Sequence, residues 1–395
     1  MKTLLYGGRV ITPWRILNDG YVLFDDADGK IEAVGSGAIG DVACDEKINV
    51  EGRYIAPGFI DIHTHGGGGC DFMDGDVDSI LIAARAHLEH GTTAIFPSTV
   101  SATNETLFPV LDSYKIAKTM EHDGAELCGL HLEGPYFSME QKGAMDPRYV
   151  RNPDMAEIEA ILARSDDIVR WSVAPELPGA LEMGRRLRAN GILPSIGHTM
   201  AVYEDTLAAM ENGFSLCTHL YSGMPGVRRI EAFRHAGPVE TAFILDDMDV
   251  EIIADGVHLP QALLKLIYQT KGAAHVALIT DSMRAAGQDV TESILGDKKT
   301  GLPVLVEDGV AKLPDRTAFA GSVATTDRLV RVMRDVAGVQ IEDAVRMITA
   351  TPARIMGLTE KGRVASSYDA DLTVFDDAIN MSRVYRGGKC LFEAK

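Results

Sequence analysis

Apolar residues are not spread evenly along this chain. Short runs rich in Val, Ile and Leu recur through its middle, most of them followed by a stretch with apolar positions at helical spacing. Eight runs stand out: Phe59 to His65, Thr93 to Thr99, Leu127 to Glu133, Val169 to Glu176, Ile192 to His198, Ser215 to His219, Val250 to Asp255 and His275 to Asp281. Between the first two lies DVDSILIAARAHLEHG, whose apolar residues share a helical face and whose Gly91 stands where a helix would stop. Strands alternating with helices eight times predict an α/β fold, a closed (β/α)8 TIM-like barrel. The ends carry a different pattern. Residues 1–56 break into short β-like pieces (LLYGGRVIT, GYVLFDD, GKIEAVG, KINVEGRYIAPG), and GRVASSYDADLTVFD and SRVYRGGKCLFE do the same near the C-terminus. With Gly-Gly, Asp-Gly and Gly-Lys turns between them, these predict a small β-sandwich domain built from both termini, residues 1–56 and 360–395, around a barrel of residues 57–359. Residues 282–322 read as an insertion after the eighth strand.

Composition narrows the function. A net charge of −19 opposes binding to a phosphate backbone, so no nucleic-acid partner is expected, although a local cluster of arginine or histidine would still take a small anion. No apolar run is long enough to span a membrane, and the N-terminus lacks the pattern of a signal peptide. Cys44, Cys70, Cys128, Cys217 and Cys390 are scattered, with no C-x-x-C pair, which points to reduced thiols, a cytoplasmic location and no cysteine zinc site. Cys70 follows a glycine run, but no base or positive charge adjoins it, so it reads as a bystander.

Most of the eight runs end on a side chain able to do chemistry: His65, Glu133, Glu176, His198, His219, Asp255 and Asp281. In a barrel these ends form the functional face, and packing alone would prefer apolar groups there. His63 and His65 are two apart on one strand and so share a face. With Glu133 in HLEG, His198 in GHT, His219 in THLY and Asp281 in LITD, six imidazoles and carboxylates fall on five strands. Such groups are costly to bury unless paired or bound to a cation, and nitrogen and oxygen donors suit Zn2+ first, with Fe2+, Mn2+ or Co2+ as alternatives. A bound cation acidifies water, and Asp281 is then the expected acid/base that takes and returns the proton. Of the other histidines, His87, His90 and His122 fall in or beside helical segments and read as solvated, and His275 begins a strand at the far end. His131 either supports the metal shell or is a packed, hydrogen-bonded histidine. His258, just past the seventh strand, reads as a substrate contact.

GFIDIHTHG, followed by HLEGPY, GHT, THLY, IIADGVH and TD, resembles the amidohydrolase superfamily, and within it the N-acetylglucosamine-6-phosphate deacetylase family, over nearly the whole chain. The resemblance implies hydrolysis of the acetamide of an N-acetylhexosamine 6-phosphate. It implies a main metal on Glu133, His198 and His219 and a second on His63 and His65 with Glu133 bridging, hence one or two cations per subunit, with Asp281 as acid/base. It further implies phosphate contacts from the backbone at Ser222 and Gly223 and from Arg234, a sugar contact from His258, and a homodimer in which the arginine comes from the neighbouring subunit. Three departures stand in the sequence. Ser222, Gly223 and Met224 replace the usual N-A-M; Arg234 is followed by His235, Ala236 and Gly237 after a longer loop carrying Arg228 and Arg229; and Met145 stands where many relatives carry histidine. Arg229 is therefore a further candidate for the phosphate, with a solvated loop charge as the alternative. The departures also leave a related N-acyl substrate, such as the galactosamine epimer, as the competing expectation. A dihydroorotase-like enzyme fits less well, because the fourth run ends in Ala174, Pro175, Glu176 and not in a lysine. A purine deaminase lacks its H-x-x-E in HTMAVYED, and a non-catalytic relative would be expected to lose ligands that this chain keeps.

Overall fold

All eight apolar runs become strands, each shorter than the run that announced it: β1 (Phe59–Thr64), β2 (Thr92–Pro97), β3 (Leu130–Glu133), β4 (Ile168–Val173), β5 (Leu193–Ile196), β6 (Leu216–Cys217), β7 (Asp249–Ile253) and β8 (Val276–Ile279). These come from a computed structural model that describes residues 1–39 and 42–394. Most of the strands are buried at every residue and do not alternate, as expected where helices cover one face of a parallel sheet and other strands the opposite face.

Pairing is parallel throughout and follows chain order. β1 pairs with β2, and β3 to β8 pair successively. A parallel bridge between Ser98 and His131 joins β2 to β3. Just past β8, the Asp281 amide donates to the His63 carbonyl at 2.9 Å, so the last strand returns beside the first. Helices fill the connections. The first, Val77–Leu88, is started by the Asp76 carboxylate, which accepts from the Ser79 amide at 2.8 Å. Gly91, expected as its stop, lies just beyond it at φ +97, and a Cβ there would come 2.9 Å from the Phe59 ring. Trp171, Phe214, Leu264 and Leu329 pack between strands and helices in the main apolar core.

The insertion after β8 is a four-stranded antiparallel sheet, from Glu292–Leu295 to Phe319–Ser322. The two chain ends also meet, but in a simpler form than two separate layers. Eight strands make one continuous hydrogen-bonded sheet in which Lys2–Ile11 pairs with Ile16–Asp25 and also with Glu46–Asn49 and Tyr54–Pro57. The sheet folds over its own core of Leu5, Val22, Phe24, Ile55, Leu372 and Val374. Its two halves join where Leu372–Phe375 runs antiparallel to Tyr54–Pro57. Among the described residues no helix is long and apolar enough to cross a membrane.

Candidate metal centre

The strand ends converge on Glu133. His63, His65 and Glu133 form one buried group of potential ligands, Glu133, His198 and His219 a second, and within each group the ligand atoms lie within 4.8 Å of one another. Glu133 is common to both. Its Oε1 is 2.9 Å from His219 Nε2, 3.3 Å from His198 Nε2 and 3.5 Å from His63 Nε2, and its Oε2 is 3.3 Å from His65 Nε2. Asp281 closes the ring, with Oδ1 3.0 Å from His65 Nε2 and 3.5 Å from His63 Nε2. All six predicted ligands therefore stand together.

Each imidazole is held from behind. His198 Nδ1 faces the Gln141 carbonyl at 2.8 Å, His219 Nδ1 the Ser222 carbonyl at 3.1 Å, His65 Nδ1 the Ser98 carbonyl at 3.3 Å, and His63 Nδ1 the Glu251 carboxylate at 3.5 Å. A carbonyl only accepts, so Nδ1 must carry the proton, and the Nε2 lone pair of the neutral ring points inward. His63 Nε2 is buried without a hydrogen-bond partner. Burial alone would lower the His63 pKa, but Glu133 and Asp281 outweigh it and raise it to about 9, which shows how much uncompensated negative potential the cluster holds. Burial likewise pushes Glu133 upward, yet the surrounding imidazoles hold it well below the carboxylate range. An orphaned inward nitrogen, inward lone pairs and excess negative potential together fit a divalent cation.

A cavity of about 310 Å3 opens over the cluster, walled by Met145, Tyr221, Ser222, Gly223, His258 and Phe319 among others. Ser222, Gly223 and His258 thus line this cavity. The Ser222 amide already donates to the His219 carbonyl at 2.8 Å. His258 is anchored through Nδ1 to Asp255 at 2.8 Å and packs on Phe319 with ring centroids 4.7 Å apart. Arg229 and Arg234 sit elsewhere. They face each other across an exposed hairpin, Arg228–Ile230 with Phe233–His235, and neither lines the cavity of its own chain. Arg228 bonds the Met200 carbonyl.

Other sequence readings are corrected or settled. His87 is not solvated: it is 1% exposed, with Nε2 3.0 Å from the Gly66 carbonyl. His131 is the packed alternative, since Ser98 Oγ at 2.9 Å and Ser172 Oγ at 2.7 Å occupy both ring nitrogens. Glu176 holds the Thr199 side chain and the Met200 amide and stands outside both ligand groups. Sequence reasoning passed over Arg170 and Glu251, a buried ion pair beneath His63. The available signal was a charged residue in the middle of an apolar strand in both IVRWSV and DVEII.

Comparison with known proteins agrees with this geometry. The model of the Amidohydrolase family matches residues 54–391. The chain is 31% identical over 347 residues to the N-acetylglucosamine-6-phosphate deacetylase of Lysinibacillus sphaericus, covering 87% of each protein. It is 31% identical over 370 residues to that of Bacillus subtilis, covering 92% of this chain and 91% of the relative. The solved structure of a Mycobacterium smegmatis N-acetyl-D-glucosamine-6-phosphate deacetylase mutant, in complex with N-acetyl-D-glucosamine-6-phosphate, superposes with a TM-score of 0.89 at 31% identity, over 99% of both chains.

Proposed function

The chain belongs to the amidohydrolase family, and from that premise we propose its reaction and the roles of its residues. It is an N-acetylglucosamine-6-phosphate deacetylase: it hydrolyses the acetamide of the sugar phosphate to glucosamine 6-phosphate and acetate. The observation that carries the reading is Glu133, one buried carboxylate shared by two histidine pairs at the ends of parallel strands.

Glu133, His198 and His219 would hold one divalent cation, and His63 and His65 a second, with Glu133 between them; zinc suits the donor set best. When bound, such a cation supplies Lewis acidity toward an amide carbonyl and toward water. Asp281 takes one proton from the attacking water and returns it to the nitrogen as the C–N bond breaks, so that the amine leaves neutral and acetic acid remains; the acid's proton then passes to the freed amine, giving acetate and the ammonium form of the sugar. The position of Asp281 beside His65 on the wall of the cavity suits that exchange. His258, fixed by Asp255, orients the sugar, and Ser222 and Gly223 line the phosphate side.

The architecture is read as a (β/α)8 barrel of residues 57–359 with a small β domain from residues 1–56 and 360–395, supported by the sequential parallel order and the hydrogen bond from the end of β8 to β1. A homodimer completes the site. Among the described residues no lysine or arginine of the same chain lines the cavity, whereas the exposed hairpin presents Arg229 and Arg234 beside Ile230 and Phe233. A dianionic phosphate needs such charge, and Arg234 of a second copy supplies it. The five free thiols support a cytoplasmic location. Acetate release from a panel of N-acetylhexosamines, with and without the 6-phosphate, tests the function. The gluco epimer bearing phosphate is expected to turn over fastest, and no release from it would overturn the reading.

A further inference from the structure

Three of the four inward-facing imidazoles are oriented by backbone carbonyls. His63 alone is held by a side chain, Glu251, and that carboxylate is fully buried. We propose that the Arg170–Glu251 pair is a positioning device for His63: it fixes the proton on Nδ1 and so presents Nε2 to the metal centre. The proposal rests on the site described above and deepens it.

The geometry is complete on the arginine side. The Arg170 guanidinium bonds both oxygens of Glu251, one through Nη1 and the other through Nη2 at 2.8 Å. Its remaining N–H groups reach the Ile62 carbonyl, Ser195 Oγ and Thr218 Oγ1, each at 3.1 Å. All five donors are satisfied, so the guanidinium has one orientation. The oxygen that accepts from Nη2 is the same Oε2 that faces His63 Nδ1. Arg170 rises from β4 and Glu251 from β7, while the other partners belong to β1, to β5 and to the end of β6, so one side chain ties five strands at a single level under the centre. Stability does not account for this arrangement. Branched apolar side chains usually fill such an interior, and a buried ion pair contributes little over apolar residues of the same volume. What apolar residues would not provide is an acceptor at His63 Nδ1, whose partner among the described residues is this carboxylate and not a carbonyl. Arg170 lets that acceptor remain a carboxylate in a dry interior.

The test uses the full chain. In the metal-free wild type, held above the His63 pKa so that the ring is neutral, the 15N-detected tautomer of His63, assigned by comparison with His63→Gln, is expected to be the Nδ1–H form. An Nε2–H form would overturn the proposal without any further variant. Glu251→Gln and the charge-free pair Arg170→Met with Glu251→Leu are expected to populate both tautomers. Their zinc affinity by chelator competition should fall roughly 10- to 100-fold for the ion at His63 and His65. The ion at Glu133, His198 and His219 should remain, and Glu251→Asp should recover part of the loss. The double variant leaves no unpaired buried charge and keeps the test alive where Glu251→Gln fails to fold. Folded variants with wild-type tautomer and wild-type zinc affinity would overturn the proposal. Acetate release is read separately: a wild type that releases none would sink the deacetylase reading while the tautomer and zinc results still decide this one.

Discussion

Two carboxylates do different work in the centre, and their surroundings say which. Glu133 touches all four imidazoles, so Glu133→Gln should abolish retention of both ions, measured as metal per chain after dialysis; a full complement would place the site elsewhere. Asp281 touches only His63 and His65, so Asp281→Asn should keep the ion at His198 and His219 and lower kcat by about 10^2 to 10^4, the usual contribution of a positioned acid/base. A third buried group acts on stability. Burial lowers the His87 pKa from 6.5 to about 4. Between those values the unfolded chain binds a proton that the folded chain does not, so stability is intact above about pH 6.5 and drains away as the pH falls toward 4, by about 3 kcal/mol in all. Urea unfolding at pH 7 and pH 5 should show this slope in the wild type and a flatter one in His87→Gln; equal slopes would remove His87 as the cause.

Individual elements differ in how openly the sequence declares them. Strands covered on both faces are continuous apolar runs, and a histidine or acid closing such a run has no packing reason to be there, so His65, Glu133, His198, His219 and Asp281 were legible as a set. Arg170 and Glu251 were not, because each lies inside its strand and gains meaning only from the other, 81 residues away. His87 misled for a related reason: a helical histidine among charged neighbours looks solvated until the glycine loop after β1 is seen to fold over it. The hairpin Arg228–His235 stands out in the sequence for its arginines; its exposed Phe233 and Ile230 are the side chains that the proposed dimer would cover. Replacing both with serine should shift the protein toward monomer by light scattering. Arg234→Ala should leave the oligomer intact and raise KM for phosphorylated substrate more than for the unphosphorylated sugar. Equal effects on the two substrates would remove the phosphate contact.

On the scale of the whole molecule, the parallel strands are made of neighbours in sequence, whereas the terminal sheet joins two groups of strands from opposite ends of the chain. Tyr54 pairs with Phe375, and Leu372–Phe375 stands between Tyr54–Pro57 and the last two strands. Deleting residues 372–395 should therefore cost more than three surface strands. It strips one side of Tyr54–Pro57, which keeps only its pairing with Lys2–Ile11 and leads directly into β1 and its two histidines. Calorimetry of the truncated chain should show no cooperative transition near that of the intact protein; a preserved transition would mean the sheet is an independent appendage.

The same seam sets a clock on biosynthesis. At about 5–20 residues per second, the ribosome delivers Phe375 on the order of tens of seconds after Tyr54. For that interval one side of Tyr54–Pro57 is an open β edge, so the terminal sheet closes long after its first strands have been made.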